Sequence, residues 1–260
     1  MSHSAGAQGA HGEDDTLITV KSYSERAVPH LAGLVEQNLE SLERIATRLV
    51  ADVAAGKSLL VFGSGHSAIF PLELYHRAGG ASFVIPVVAD YLLPTAGPPV
   101  VRVLERTAGS ATAVLDRCLP QSGEMLWIAS NSGINAAVVD LALEARKRGL
   151  HCVAFTSLPH SRSVASRHDS GKRLFEVCDE VIDIGGIVGD AVVPIGREVL
   201  AGPLSSLSTI LLGHSIILAA VARLERGGTP CVYTSVNTPH GEARNKKLEE
   251  AAKIRDFLLR

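Results

Sequence analysis

Aromatic residues make up only 4% of the 260 residues, although 46% of the chain is hydrophobic. A core of this size must therefore be filled by Val, Ile, Leu and Ala, as in helix-covered parallel sheets. Neither sign of charge dominates. Lys and Arg number 25, Asp and Glu 27, and the formal net charge is −2. This balance excludes broad non-specific nucleic-acid binding, which needs a strong cationic field. A charged fraction of 20% beside so many apolar residues excludes a wholly disordered chain. The four cysteines, Cys118, Cys152, Cys178 and Cys231, form no CxxC pair and fit no zinc-site spacing. Cys152 and Cys178 lie in apolar surroundings and read as small buried thiols. The opening stretch, MSHSAGAQGAHGEDD, lacks an apolar signal-peptide region. Residues 1 to about 15 read as a disordered tail, and a cytoplasmic location is the default. The longest apolar run, Leu207 to Ala222, is interrupted by Ser208, Thr209, Gly213, His214 and Ser215. It reads as too short and too polar to span a membrane.

What is present is alternation. Leu31, Leu34, Val35, Leu39, Leu42, Ile45, Ala46, Leu49 and Val53 recur at spacings of three and four, which predicts a long helix over about 24–55. Five strands are expected, at Ser58–Phe62, Ser82–Val88, Glu124–Ala129, Leu150–Phe155 and Glu180–Ile184. Helices are expected over Ala68–Ala78, 110–119, Ile134–Arg148, Pro203–Glu225 and Glu242–Arg260. Residues 89–109 read as irregular, with Pro94, Pro98 and Pro99 as helix breakers, and Pro230–Val236 as a further possible strand. Strands alternating with helices mean an α/β fold with a mostly parallel sheet. Such sheets place ligands beyond the carboxyl ends of their strands, where strand order reverses. For five strands in the order 2-1-3-4-5, the loops after strands one and three are the ones to read.

Strand one is followed by Gly63, Ser64, Gly65, His66 and Ser67, strand three by Ser130, Asn131, Ser132, Gly133, Ile134 and Asn135. Both open a helix. Glycines let backbone N–H groups approach a ligand, hydroxyls donate to oxygen, and a helix N-terminus adds partial positive charge. Ser also caps helices for purely structural reasons. Two such loops on neighbouring strands tilt the balance towards a phosphate site. A rival reading takes Gly63 to Ala68 as a GxGxxA dinucleotide fingerprint with Asp90 as the ribose-binding acid. Two features weigh against it. Hydroxyls fill the loop where small apolar residues would suffice, and the third-strand loop repeats the same chemistry.

The GSGHS and SNSG loops, with the long helix before strand one, resemble the SIS (sugar isomerase) domain family. The nineteen residues from Thr156 to Leu174 resemble a stand-alone, uncharacterised subgroup of it, described only as sugar-phosphate isomerases or phosphosugar-binding proteins. The resemblance covers about residues 20–258. It implies a flavodoxin-like αβα sandwich of one domain over 16–260, with a five-stranded parallel sheet. It also implies binding of a carbohydrate derivative, a sugar phosphate, by the two loops. Dimers or tetramers with sites near subunit interfaces are implied as well. By motif, Ser64 and Ser67 serve the first loop, Ser130 and Ser132 the second. Asn135 departs from the Ser or Thr usual in the family.

Isomerisation needs a base to move a proton between adjacent carbons, and an acid for ring opening. Glu73 lies six residues after Ser67, less than two turns into the following helix. The resemblance implies a catalytic Glu on this helix about one turn further along, so Glu73 matches in kind but not in spacing. The alternative is an ordinary surface acid. His66, inside the first loop, is a candidate to contact the sugar or open its ring, or else a capping imidazole. His76 reads as structural; His214, in an apolar helix, reads as a core or interface residue and is held in reserve. Residues 156–173 carry His160, Arg162, Arg167, His168, Lys172 and Arg173 against one acid, Asp169. A solvated basic loop is one reading. Charge-assisted donors to a phosphosugar, His160 and Arg162 first, are the other. Ser205 and Ser206 either complete the pocket or cap a helix.

The leading expectation is a sugar-phosphate isomerase with Glu73 as base and no metal or organic cofactor. The alternatives are a sugar-phosphate lyase, a non-catalytic sensor and a dinucleotide-binding oxidoreductase. Partners are expected to be a small sugar phosphate and further copies of the chain, with neither nucleic acid nor membrane.

Overall fold

The computed structural model describes residues 18–251. The expected tail, and the end of the expected closing helix, lie outside them. Helix α1 (Ser22–Ala54) opens the fold and buries Leu34, Leu42, Ile45, Ala46 and Leu49 along one face. There follow β1 (Leu59–Gly63), α2 (Ile69–Leu74), β2 (Val84–Val87), α3 (Pro98–Leu104), α4 (Val114–Cys118) and β3 (Met125–Ala129). Then come α5 (Ala136–Lys147), β4 (His151–Thr156), α6 (Leu158–Ser163), α7 (Leu174–Val177) and β5 (Glu180–Asp183). The chain closes with β6 (Ala191–Pro194), β7 (Leu200–Pro203), α8 (Ser205–Arg226) and α9 (Gly241–Ala251).

Strands β2-β1-β3-β4-β5 form one parallel sheet in that order, as expected. β1 and β3 are buried along their whole length, which is why they read as unbroken apolar runs. Side chains alternate between two layers. Leu59, Val61, Met125, Trp127, Val153 and Phe155 belong to the core shared with α1, α2 and α8. Leu60, Phe62, Leu126, Ile128, Cys152 and Ala154 belong to the core shared with α4, α5 and α7. The outer edge of β5 is covered: Asn38 on α1 donates from Nδ2 to the Asp183 carbonyl (3.0 Å) and accepts from its N–H (3.2 Å). Cys152 is buried and its thiol is pushed up to about 12, chiefly by burial, while that of Cys178 is raised well above its usual value for the same reason. Both are structural thiols.

Several expectations need correcting. Pro98 and Pro99 start α3 instead of breaking it, since the first helical turn needs no proline N–H. Pro94 likewise opens a short 3-10 turn. Pro86 sits inside β2, which tolerates it because β2 is an edge strand. α2 is shorter than expected: Tyr75 is extended and His76 takes φ +40°, which ends the helix at Leu74. Pro203 ends β7 and does not begin α8. Residues 191–203 form an antiparallel hairpin, β6 with β7, that was not expected. In place of a strand at Pro230–Val236 there is a single bridge, Ala81 to Val232. α8 is longer than its apolar run, and by length and composition it qualifies as a membrane span. Half of it is buried against the sheet layer and α1, so its apolarity is that of a core helix.

α2 and α8 pack closely because Gly213 presents no side chain. A Cβ there would lie 2.4 Å from Cε2 of Phe70. Phe70 cannot yield easily, since it stacks with Trp127 and tilts against Phe155, at ring-centre distances of 6.2 and 5.0 Å. Gly213→Ala is therefore expected to cost about 1–3 kcal/mol, read as a lower denaturant midpoint with unchanged slope. A variant as stable as wild type would show that the helices part freely there.

Candidate functional site

β1 and β3 end side by side, with Gly63 opposite Ala129. Their loops leave the same edge of the sheet at the reversal of strand order. In the first loop the chain folds back sharply on itself. A Cβ on Gly63 would lie 2.1 Å from the carbonyl oxygen of Ser67, so only glycine fits. Ser64 is extended and its carbonyl accepts from the Ser67 N–H at 3.1 Å. Gly65 then takes φ +54°, and a 3-10 turn over Gly65–Ala68 leads into α2.

In the second loop Ser130 Oγ accepts from the Gly133 N–H at 3.1 Å. The nineteen-residue stretch explains itself here, because it holds this loop by its carbonyls. Asn131 O accepts from the Ser157 N–H and the Thr156 hydroxyl, both at 3.1 Å. Gly133 O accepts from the Leu174 N–H (2.8 Å), and Ile134 O from the Arg167 N–H (2.9 Å). With the carbonyls tied back, the N–H groups of Ser132, Ile134 and Asn135 have no acceptor among the described residues. They stand at the N-terminus of the twelve-residue α5, where partial positive charge gathers. That arrangement suits an anion.

The start of α8 supplies the third wall. Asp190, at φ +62° ahead of β6, accepts from the N–H groups of Leu204 (3.1 Å) and Ser205 (2.9 Å) and from the Ser205 hydroxyl. The cap of α8 is thus Asp190, not Ser205 or Ser206. His66, Ser67, Phe70, Asn131, Ser205, Ser206, Thr209 and Ile210 together line one recess. Both Ser-rich loops and the α8 serines therefore meet.

Glu73 is not in the wall of this recess but stands just beyond it. Phe70 and Glu73 lie three apart on α2, Ile210 and His214 four apart on α8, so each pair shares a helix face. One turn (about 5 Å) past the recess, His214 Nε2 lies 3.3 Å from Glu73 Oε1. Arg77 also pairs with Glu73. Burial, and then the Arg77 guanidinium, holds the His214 imidazole below its usual range. His214, held in reserve on the sequence because it stands in an apolar helix, thus meets a partner 141 residues away.

The basic stretch is distributed otherwise than expected. His160 is half-buried, and its Nδ1 accepts from the Gly189 N–H at 3.3 Å. Arg162 lies over the Phe175 ring, 5.6 Å from its centre. It is Arg167 that reaches the second loop, donating to Asn135 Oδ1 at 3.0 Å. Asn135 Nδ2 in turn donates to Glu105 Oε2 at 3.4 Å. Sequence spacing gave no sign of Glu105; Arg167 was visible only as one of several cations.

The fold and site define an α/β domain whose paired strand-end loops meet at the sheet's switch point. A SIS domain profile matches residues 22–157, just over half of the chain. A UPF0309 protein of Shouchella clausii is 34% identical over 90% of this chain and 96% of its own length. A UPF0309 protein of Oceanobacillus iheyensis is 34% identical over 91% and 98%. The chain belongs to the SIS-domain family, in company with the UPF0309 proteins. Among solved structures, the phosphoheptose isomerase GmhA from Neisseria gonorrhoeae matches with TM-score 0.51 and 17% identity, over 77% of this chain and 95% of that one. The Vibrio vulnificus NanR protein complexed with ManNAc-6P matches with TM-score 0.51 and 15% identity, over 94% and 71%. At such identities these two matches show a shared fold.

Proposed function

We propose that the chain binds a sugar phosphate and interconverts its aldose and ketose forms by enediol proton transfer. The observation that carries this reading is the alignment of a phosphate-type recess with the Glu73–His214 pair, one helical turn further along the same two helices. The phosphate sits on the free N–H groups of the second loop, with hydroxyls from Ser67, Ser132 and Ser206 around it. Ser64 and Ser130 shape the loops beneath. His66, at the recess wall, gives a proton to the ring oxygen and takes one from the O1 hydroxyl as the bond from C1 to the ring oxygen breaks. Glu73 takes the proton from C2 of the open-chain aldose and returns it to C1. Neutral His214 passes the hydroxyl proton between O2 and O1. No step calls for a metal or organic cofactor. That the relatives include a phosphoheptose isomerase fold and a protein complexed with ManNAc-6P supports the ligand class.

Association of copies is part of the same reading. Ile69 and Leu72 on α2, with Leu207 and Leu218 on α8, are 40% exposed or more. They suit a second subunit. A reducing, cytoplasmic setting fits four free cysteines.

A thermal-shift panel tests the ligand class. Sugar phosphates should raise the melting temperature and NAD should not. Stabilisation by NAD alone would end the phosphosugar reading. The pH profile tests His214. Because its imidazole is held below the ordinary value of 6.5, the acid limb of the exchange rate should have its midpoint below pH 6.5. A limb at or above that value would take His214 out of the proton path. A binding-only role is the second reading, favoured by the contact of Arg77 with Glu73. Solvent-deuterium incorporation into the sugar separates the two, since a sensor gives none.

A further inference from the structure

Glu105 is a carboxylate the proposed reaction does not use. Its backbone carbonyl accepts from the Ala137 N–H at 3.0 Å, which fixes it at the first turn of α5. Its Oε2 accepts from Asn135 Nδ2 at 3.4 Å. On its other side, Oε1 lies 3.0 Å from the point a Cβ on Gly65 would occupy. The carboxylate therefore bridges the gap between the two ligand loops. It is half-buried, and no Lys or Arg among the described residues pairs with it. Arg167 meets the far end of the Asn135 amide and not the carboxylate itself.

This placement has a consequence for the ligand. Asn135 contributes one of the free N–H groups of the anion site, and the same residue's amide touches Glu105. A phosphate seated there lies close to a half-buried carboxylate that has no Lys or Arg partner among the described residues. Like charges repel strongly in such surroundings. A neutral sugar phosphate leaves that repulsion standing. A ligand with its own positive charge turns it into an attraction, by giving Glu105 an ion-pair partner with charge-assisted hydrogen bonds. The Asn135 amide is meanwhile fixed in one orientation, by a donor on its oxygen and an acceptor on its nitrogen.

We propose that Glu105 reads a free ammonium on the ligand, so that the site selects an amino-sugar phosphate over neutral and N-acylated sugar phosphates. The inference rests on the phosphosugar reading and narrows it. Gly65 then has a second purpose: any side chain there would press on the carboxylate that the ammonium meets. Arg167 balances the phosphate end and Glu105 the amine end, through the one amide between them.

Isothermal titration of the full chain with glucosamine 6-phosphate, N-acetylglucosamine 6-phosphate and glucose 6-phosphate tests this, in EDTA and again with Mg²⁺. Wild type should bind the free amine at least about tenfold more tightly than the other two. Glu105→Gln should abolish that preference and bind glucose 6-phosphate no more weakly than wild type does. Equal affinities of wild type for all three overturn the ammonium assignment while leaving phosphosugar binding intact. A neutral sugar phosphate that binds tightly only with Mg²⁺ overturns it too, by showing that Glu105 holds a metal. Binding of none overturns both readings. The wild-type comparison decides the matter even if the variant fails to fold.

Discussion

Glu73→Gln should lower solvent-deuterium incorporation into a bound sugar phosphate by about 10²-fold or more, with affinity for that sugar phosphate almost unchanged. The size follows from what a positioned base contributes to proton transfer, about 10²–10⁴. Gln keeps the shape and still offers an oxygen to His214 Nε2, so the contact between α2 and α8 survives. Its amide cannot take a proton from carbon. Affinity is spared because the recess is walled by His66, Ser67, Asn131, Ser205 and Ser206, one turn away. The ion pair with Arg77 is lost, but both side chains are partly exposed, and such pairs contribute little to stability. Loss of binding together with exchange would place Glu73 in recognition instead. Undiminished exchange would remove it from the reaction and leave Glu105 as the nearest carboxylate to the loops.

Gly63→Ala should be one of the most damaging glycine-to-alanine changes among the described residues. Its Cβ would stand 2.1 Å from the Ser67 carbonyl oxygen and 2.4 Å from its carbon, both backbone atoms. A flexible side chain could turn aside, whereas backbone must move as a unit. The first loop would open, and with it the start of α2. We expect a stability loss of about 3 kcal/mol, seen as a fall in Tm of roughly 10 °C. Affinity for a sugar phosphate should fall by about tenfold or more, through hydrogen bonds that no longer line up. Gly56→Ala is the control, because a Cβ there meets nothing within 4 Å, although its φ of +79° carries some strain. If Gly63→Ala melted no lower than Gly56→Ala, the tight return of the first loop would be wrong.

The sheet was legible because its inner strands are buried on both faces and its strands are separated by helices. Met125–Ala129 is apolar throughout, His151–Thr156 is apolar between its two end residues, and Ala136–Lys147 carries its apolar face at helical spacing. The hairpin was not legible. Its strands are four residues each, half-exposed and ended by Pro194 and Pro203, so they lack the alternation that marks a buried strand. Proline misled in both directions, since Pro98 begins a helix and Pro203 ends a strand. At the site, the serines announced themselves by standing next to glycines after strands. Glu105 and Arg167 did not, because each meets Asn135 across about 30 residues of chain. His214 was hidden by its apolar neighbours, which face the core while it faces Glu73. The nearly balanced charge, 25 cations against 27 anions, gives no sign of the proposed way of holding an anion, by backbone N–H groups and hydroxyls more than by side-chain cations.

The central claim is that a sugar phosphate lands on the N–H groups left free when residues 156–174 tie back the carbonyls of the second loop. Amide chemical shifts followed during titration with glucosamine 6-phosphate test it directly. The largest shifts should fall on Ser132, Ile134 and Asn135, with His66 and Ser67 next, and saturate together. Saturable shifts that leave these five amides still, or shifts at them produced by NAD but not by the sugar phosphate, would contradict the account.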